Sequence, residues 1–262
     1  MSAGAAMRGT GQTEQPRPRG PWVMAQTWHT LLFAHWPVPT AAITPLLPPG
    51  LTLDTYGGEA WLGVVPFRMS GVRPRGVPPL PWLSAFPELN VRTYVTLDGV
   101  PGVWFFSLDA ANPLAVATAR AAYHLPYFTA RMRCDLVGDT ITYASERTHR
   151  GAPPAELAAV YRCAGPIFAA APGSPEHWLT ERYSLYAADR RGRLWWGEIR
   201  HRPWPLQAAQ AEISRNTMAR AAGVALPDTP PLLHYAHRQD VRIWLPRRVA
   251  PGDEEAARLV RS

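Results

Sequence analysis

The sequence predicts a single α+β domain built mainly from antiparallel strands, and three observations carry that reading. Three pairs of strand-forming segments are each joined by a short turn-forming stretch: Leu-Asp-Gly-Val-Pro-Gly at 97–102, Val-Gly-Asp at 137–139 and Asp-Arg-Arg-Gly-Arg at 189–193. Helical patterns are few, and the 29 prolines, several clustered as between Pro78 and Pro81, favour ordered loops over long regular elements. With 262 residues, 47% hydrophobic and 18% charged, the chain has ample apolar surface for a core.

Each element follows from local chemistry. Residues 1–20 mix Gly, Ser, Thr, Gln and Pro without periodicity, which predicts a disordered tail ahead of a domain at 21–262. A strand over 59–69 follows the turn residues Gly57 and Gly58. Strands at 90–96 and 103–109 form the first hairpin. Asn112 and Pro113 then supply a cap and a first-turn proline for a helix ending at Tyr123. Hairpins over 129–136 with 140–147, and 181–187 with 194–200, come next. Leu206 to Ala222, rich in Ala, Gln and Glu and followed by Gly223, reads as the longest helix. No internal repeat and no interdomain linker interrupts this order.

Every one of the 27 basic residues is arginine; the chain contains no lysine. That excludes chemistry in which an ε-amine is nucleophile or phosphate clamp: imine-forming aldolases and decarboxylases, pyridoxal phosphate enzymes and P-loop hydrolases. A formal charge of +7 suits an anionic partner, but the arginines are dispersed along the chain. They are densest at Arg190, Arg191 and Arg193 and at Arg247 with Arg248. Cys134 and Cys163 are too few for a disulfide framework or a zinc site and read as reduced thiols in a cytoplasmic protein. No apolar run reaches the ~18 residues of a spanning helix, and no leader pattern opens the chain, so neither membrane nor secretion is expected. The pair His234 and His237, with Asp240 alone as a third ligand, falls short of a metal site, and no G-x-S-x-G or G-x-G-x-x-G motif occurs. No metal and no cofactor is expected.

The segment Phe86–Val95 is the most informative. Strand alternation puts Glu88, Asn90, Arg92 and Tyr94 on one face and Leu89, Val91, Thr93 and Val95 on the other. One reading is a half-buried strand whose polar face meets water. If the face is interior, Glu88 and Arg92, with Cα atoms about 13 Å apart, need partners on other strands or on a ligand. A second run places Tyr143, Ser145, Arg147 and His149 together, and a third Thr180, Arg182, Ser184 and Tyr186. Each alone suits a solvated face; three in one sheet suggest a polar-lined cavity.

Several motifs in order then identify a resemblance: Phe33-Ala-His-Trp-Pro-Val38, Leu46-Leu-Pro-Pro-Gly-Leu51, Ala60-Trp-Leu-Gly-Val-Val-Pro-Phe67, Glu88-Leu-Asn-Val-Arg-Thr-Tyr94, Pro101 to Asp109, Leu179 to Tyr186 and His201-Arg-Pro-Trp204. Over residues 22–246 the chain resembles the YqjF-like family of uncharacterised bacterial proteins, grouped with the acetoacetate decarboxylase fold. The resemblance implies a partly open, antiparallel β-barrel with peripheral helices and an internal small-molecule cavity. It also implies that Glu88 matches a decarboxylase active-site Glu. Tyr127 and Phe128 then stand where those enzymes carry a lysine pair. Neither ring can form an imine.

The sequence therefore points to a small-molecule partner, anionic or carbonyl-bearing, bound by Glu88, Asn90, Arg92, Tyr94, Tyr127 and Arg147. Arg92 would serve as anion partner, and Glu88 as hydrogen-bond acceptor or weak general base. Lysine-dependent decarboxylation is not expected. Two alternatives stand beside this: a nucleic-acid-associated or stress-response protein using the Arg190–Arg193 turn, and a member of the fold whose cavity its own side chains fill.

Overall fold

Long strands buried on both faces organise the molecule, which a computed structural model describes over residues 20–80 and 84–252. The expected tail at 1–20 lies almost wholly outside the described residues. The first half contains β1 (Met24–Val38), helix α1 (Thr40–Ile43), β2 (Thr52–Leu53), β3 (Ala60–Pro74), β4 (Phe86–Leu97), β5 (Val100–Ala110) and helix α2 (Pro113–Tyr123). The second contains β6 (Tyr127–Val137), β7 (Thr140–Arg147), β8 (Glu156–Cys163), helix α3 (Pro175–Thr180), β9 (Ser184–Ala188), β10 (Leu194–Arg200), β11 (Leu206–Asn216), helix α4 (Met218–Ala221), β12 (Leu232–Ile243) and β13 (Arg247–Arg248). None of the described helices is long and apolar enough to cross a membrane.

The strands close on themselves in two circuits that share β12, β1, β3, β4 and β5. One returns through β9 and β10, the other through β6, β7, β8 and β11. The seam between β10 and β12 holds by two residue pairs, Ile199 with Ile243 and Arg200 with Arg242, so this circuit is partly open. Pairing is antiparallel except where β5 meets β6 and β9. The expected partly open antiparallel barrel with peripheral helices is thus the fold, with two parallel seams added.

The shared strands explain the runs Leu31-Leu-Phe-Ala34 and Leu62-Gly-Val-Val-Pro-Phe67. A strand covered on both faces has no reason to alternate apolar with polar. One face, with Leu32, Ala34, Leu62, Val64, Leu89 and Val91, packs on Ile141, Tyr143, Leu157 and Tyr161. The other, with Leu31, Phe33, Val65 and Phe67, packs on Trp204 and Leu206.

Asn112 caps α2 as expected, its Oδ1 accepting from the amides of Leu114 and Ala115 at 3.0 and 3.1 Å. Two expectations are corrected. Leu206–Ala222 is not one helix: Leu206–Asn216 is β11 and only Met218–Ala221 is helical. β11 bridges β8 and β12, and the hydrogen bonds offered by two strand partners outweigh helix propensity. The run from Leu179 to Tyr186 does not alternate as one strand, because α3 continues to Thr180 and β9 begins at Ser184.

Gly102 packs closely against β9. A Cβ there would lie 2.6 Å from Tyr186 Cε2 and 3.1 Å from the Ser184 carbonyl oxygen on the parallel neighbour. The backbone oxygen cannot swing aside, so Gly102→Ala is expected to destabilise by about 1–3 kcal/mol. Urea denaturation checks it, and an unchanged midpoint would contradict the packing described.

Candidate functional site

The polar face of β4 is interior. Glu88, Asn90 and Tyr94 are buried and Arg92 half-buried, so the water-facing alternative does not apply. The same face is continued by Phe67, Val65 and Gly63 across β3 and by Ala110, Leu108 and Phe105 across β5. Two polar groups occupy its ends, with Asn90 between them.

At one end Tyr127, opposite Leu108 in the parallel β5–β6 pair, donates its hydroxyl proton to Glu88 Oε2 at 2.9 Å. Burial pushes the Glu88 carboxyl up to about 8, the bond from Tyr127 pulling it down and the charge of Asp109 adding to the rise. Glu88 is therefore mainly a neutral acid near pH 7. It can donate a hydrogen bond or a proton, where the sequence suggested an acceptor or weak base. The Tyr127 phenol is held well above its ordinary range by burial and by Glu88.

At the other end Arg92 Nη2 donates to the Leu179 carbonyl at 3.3 Å, and the guanidinium lies 5.5 Å from the Phe33 ring centre and 5.7 Å from that of Tyr94. No carboxylate among the described residues pairs with it. The Tyr94 hydroxyl lies 2.8 Å from the Leu179 carbonyl oxygen and 2.7 Å from His35 Nε2. Its single proton goes to the carbonyl, so His35 Nε2 is the donor and Nδ1 carries a bare lone pair. Burial, then Arg92 and His234, hold His35 well below its ordinary pKa, and the ring is neutral. Gly63 makes this arrangement possible. A Cβ there would stand 3.0 Å from the His35 ring and 3.3 Å from Arg92 Cγ.

Several buried polar atoms on this side have no hydrogen-bond partner among the described residues: Arg92 Nε, Asn90 Oδ1, His35 Nδ1 and Arg182 Nη2. Arg182 reaches in from the α3–β9 link. Its Nε donates to the Trp178 carbonyl at 2.6 Å, its Nη1 to Asp54 at 2.7 Å, and its guanidinium lies 5.0 Å from the Tyr94 ring centre. Unmatched donors and acceptors in one region are costly unless something satisfies them.

Glu88, Asn90, Arg92, Tyr94 and Tyr127 are thus brought together. Arg147 is not with them. Asp109 faces Leu89 across β4–β5, on the opposite side of the sheet from Glu88. Arg147 grips it there, Nε to Oδ2 at 2.8 Å and Nη2 to Oδ1 at 2.7 Å, with its guanidinium 4.3 Å from the Phe128 ring centre. Of its neighbours on β7, Tyr143 donates to the Glu88 backbone carbonyl at 2.7 Å, and Ser145 is buried. His149 lies beyond the strand, beside Thr129. His35 and Gly63, beside Arg92, and Asp109, the partner of Arg147, were not selected from sequence as site residues, and Arg182 appeared there only within the third alternating run. For His35 the available signal was a lone imidazole inside an apolar strand.

A cleft of about 520 Å³ lies along α4 and residues 223–228, and one of about 330 Å³ lies over β7, β8 and β11; neither is lined by Glu88 or Arg92.

Residues 25–240 match DUF2071, described as an uncharacterized conserved protein. Uncharacterized protein YqjF of Bacillus subtilis (strain 168) is 49% identical over 227 residues, covering 87% of this chain and 93% of its own. Among solved structures, acetoacetate decarboxylase from Legionella pneumophila superposes with a TM-score of 0.62 at 12% identity, over 95% of this chain and 99% of that one. The enduracididine biosynthesis enzyme MppR complexed with pyruvate gives 0.61 at 12% identity, over 88% and 92%. Likeness at that identity carries the fold and not the activity.

Proposed function

Since the chain belongs to the DUF2071 family and has the fold of the acetoacetate decarboxylases, we propose that it binds a small keto acid, or a related anionic carbonyl compound, on the Glu88–Arg92 face of β4. One observation carries the reading: Arg92 is half-buried with its Nε enclosed and has no carboxylate partner among the described residues, beside unmatched atoms of Asn90 and His35. An arginine so placed is made for a carboxylate, which it can hold by two parallel bonds. Glu88, neutral near pH 7 and hydrogen-bonded by Tyr127, supplies the donor that a ligand carbonyl requires. The structural neighbours lend support, one named for acetoacetate and one complexed with pyruvate. With no lysine in the chain, the ligand is held without an imine.

Thermal shift with pyruvate and acetoacetate, against acetone as the uncharged control, tests the proposal. The acids are expected to raise the melting temperature and acetone to leave it unchanged. Arg92→Met is expected to weaken acid binding roughly 10–100-fold, the worth of a charged hydrogen bond. A second reading has a specific observation behind it. The Leu179 carbonyl already occupies Arg92 Nη2, as in an interior filled by its own groups. Equal shifts for wild type and Arg92→Met, or none for either, favour that reading.

A further inference from the structure

The arginines that look dispersed in the sequence converge on one outward sheet face, built from the early part of β1 and the strands flanking it. His29 stands directly opposite Arg68 on β3 and Arg238 on β12. Thr27 is opposite Ser70 and Asp240, and Ala25 opposite Arg73 and Arg242. Directly paired residues share a face, and side-chain contacts confirm it. His29 Nε2 is 2.7 Å from Ser70 Oγ, Thr27 Oγ1 donates to Asp240 Oδ1 at 2.8 Å, and Arg238 pairs with Asp240 at 3.0 Å. At the edge, Arg75 and Arg242 lie 5.5 and 5.7 Å from the Trp22 ring centre. Arg68, Arg75, Arg238 and Arg242 are exposed. Among the described residues, the paired positions and edge contacts thus gather five arginines here with one carboxylate, Asp240, which Arg238 already neutralises.

In each row two guanidiniums lie two strands apart with only His29 or Ala25 between them, and such like charges repel, so the face is unfavourable in isolation. Of the arginines singled out from sequence, Arg193 and Arg247 have side chains committed to local contacts, while Arg190 and Arg191 are exposed. Asp189 binds Arg193 and the Arg191 amide within the 189–193 turn, and Arg247 lies 4.2 Å from the Trp196 ring centre.

We infer that the Arg68–His29–Arg238 and Arg73–Ala25–Arg242 rows form a docking surface for the phosphate backbone of a single-stranded nucleic acid. The rows are about 13 Å apart along β1, four residues at ~3.3 Å, so the cations form a track that fits a chain of phosphates better than a single one. The hydroxyls of Thr27 and Ser70 lie between them as further hydrogen-bonding groups. The exposed guanidinium planes and the edge stack on Trp22 offer surfaces on which bases stack. The rows carry no large apolar side chain of the kind a lipid interface takes up.

The test is fluorescence anisotropy of a labelled 20-nucleotide single-stranded DNA with the full-length protein. With four phosphates neutralised, affinity is expected to fall roughly 50-fold between 50 and 200 mM salt. Arg68→Gln/Arg238→Gln is expected to weaken binding at least about 10-fold at 50 mM salt, and Arg242→Gln alone to weaken it in the same direction. Arg190→Gln/Arg191→Gln should leave it unchanged, with circular dichroism confirming that each variant is folded. No binding at low salt overturns the inference, as does equal loss in the Arg190/Arg191 variant. So does binding to phosphatidylserine vesicles with none to the oligonucleotide.

Discussion

Replacing Arg147 by Met is expected to lower the stability of the fold by about 3–5 kcal/mol, because it leaves the Asp109 carboxylate buried without its partner. Side-chain exposure in this pair is 3% for Arg147 and 0% for Asp109. Burial pushes the Asp109 carboxyl up even against the two bonds from Arg147, which marks how poorly the site tolerates a lone negative charge. Removing both charges together, as Asp109→Leu/Arg147→Met, is expected to recover most of the loss, since no uncompensated ion then remains. The pair between Arg131 and Glu146 is the internal comparison, with side chains 74% and 52% exposed. Arg131→Met should change stability by less than about 1 kcal/mol. Urea denaturation of the four proteins checks the set. Equal small effects at both pairs would show that burial does not set the size of the effect.

Glu88→Gln is expected to stabilise the protein, and the gain should grow with pH. In the unfolded chain a glutamate titrates near the ordinary value of about 4.5, whereas in the fold Glu88 is raised to about 8. Between those values the folded protein holds one proton more than the unfolded chain. Stability therefore falls as pH rises through that window and levels off above it. At about 1.4 kcal/mol per pH unit, the accumulated penalty above pH 8 reaches several kcal/mol. Glutamine has no proton to lose and still offers an oxygen to the Tyr127 hydroxyl, so the variant escapes the penalty while keeping that contact. Melting temperatures of wild type and Glu88→Gln are expected to coincide near pH 4.5 and to separate progressively up to pH 8. A constant difference across the range would mean that Glu88 is ionised throughout.

Much of this was legible in the sequence where a local rule decides the outcome. Asn112 with Pro113 starts α2 because cap and first-turn geometry are set within a few residues. The turns after Leu97, Val137 and Asp189 place three pairs of consecutive strands for the same reason. The polar face of β4 followed from alternation alone. Leu206–Asn216 was harder. Its Ala, Gln and Glu content favours a helix, yet Ala209, Ala211 and Ile213 turn inward while Gln210, Glu212 and Ser214 are exposed, a period of two that the composition masks. Alternation also says which residues share a strand face but not which side of the assembled sheet that face meets. Arg147 therefore looked like a neighbour of Glu88, while its partner Asp109 and the sheet between them were invisible. The arginine rows lie beyond any local rule, since Arg68 and Arg73 meet Arg238 and Arg242 only when β3 and β12 flank β1.

The chain has the fold of an acetoacetate decarboxylase but no lysine, and the proposed function rests on Arg92 holding a carboxylate. Native mass spectrometry of the protein purified from its own host tests this most directly, because it needs no guess at the ligand. The account predicts a bound small molecule on the wild-type protein, identifiable after extraction as a carboxylate, and its loss from Arg92→Met with the fold intact. A wild-type protein free of any adduct, or an adduct retained equally by Arg92→Met, would contradict it.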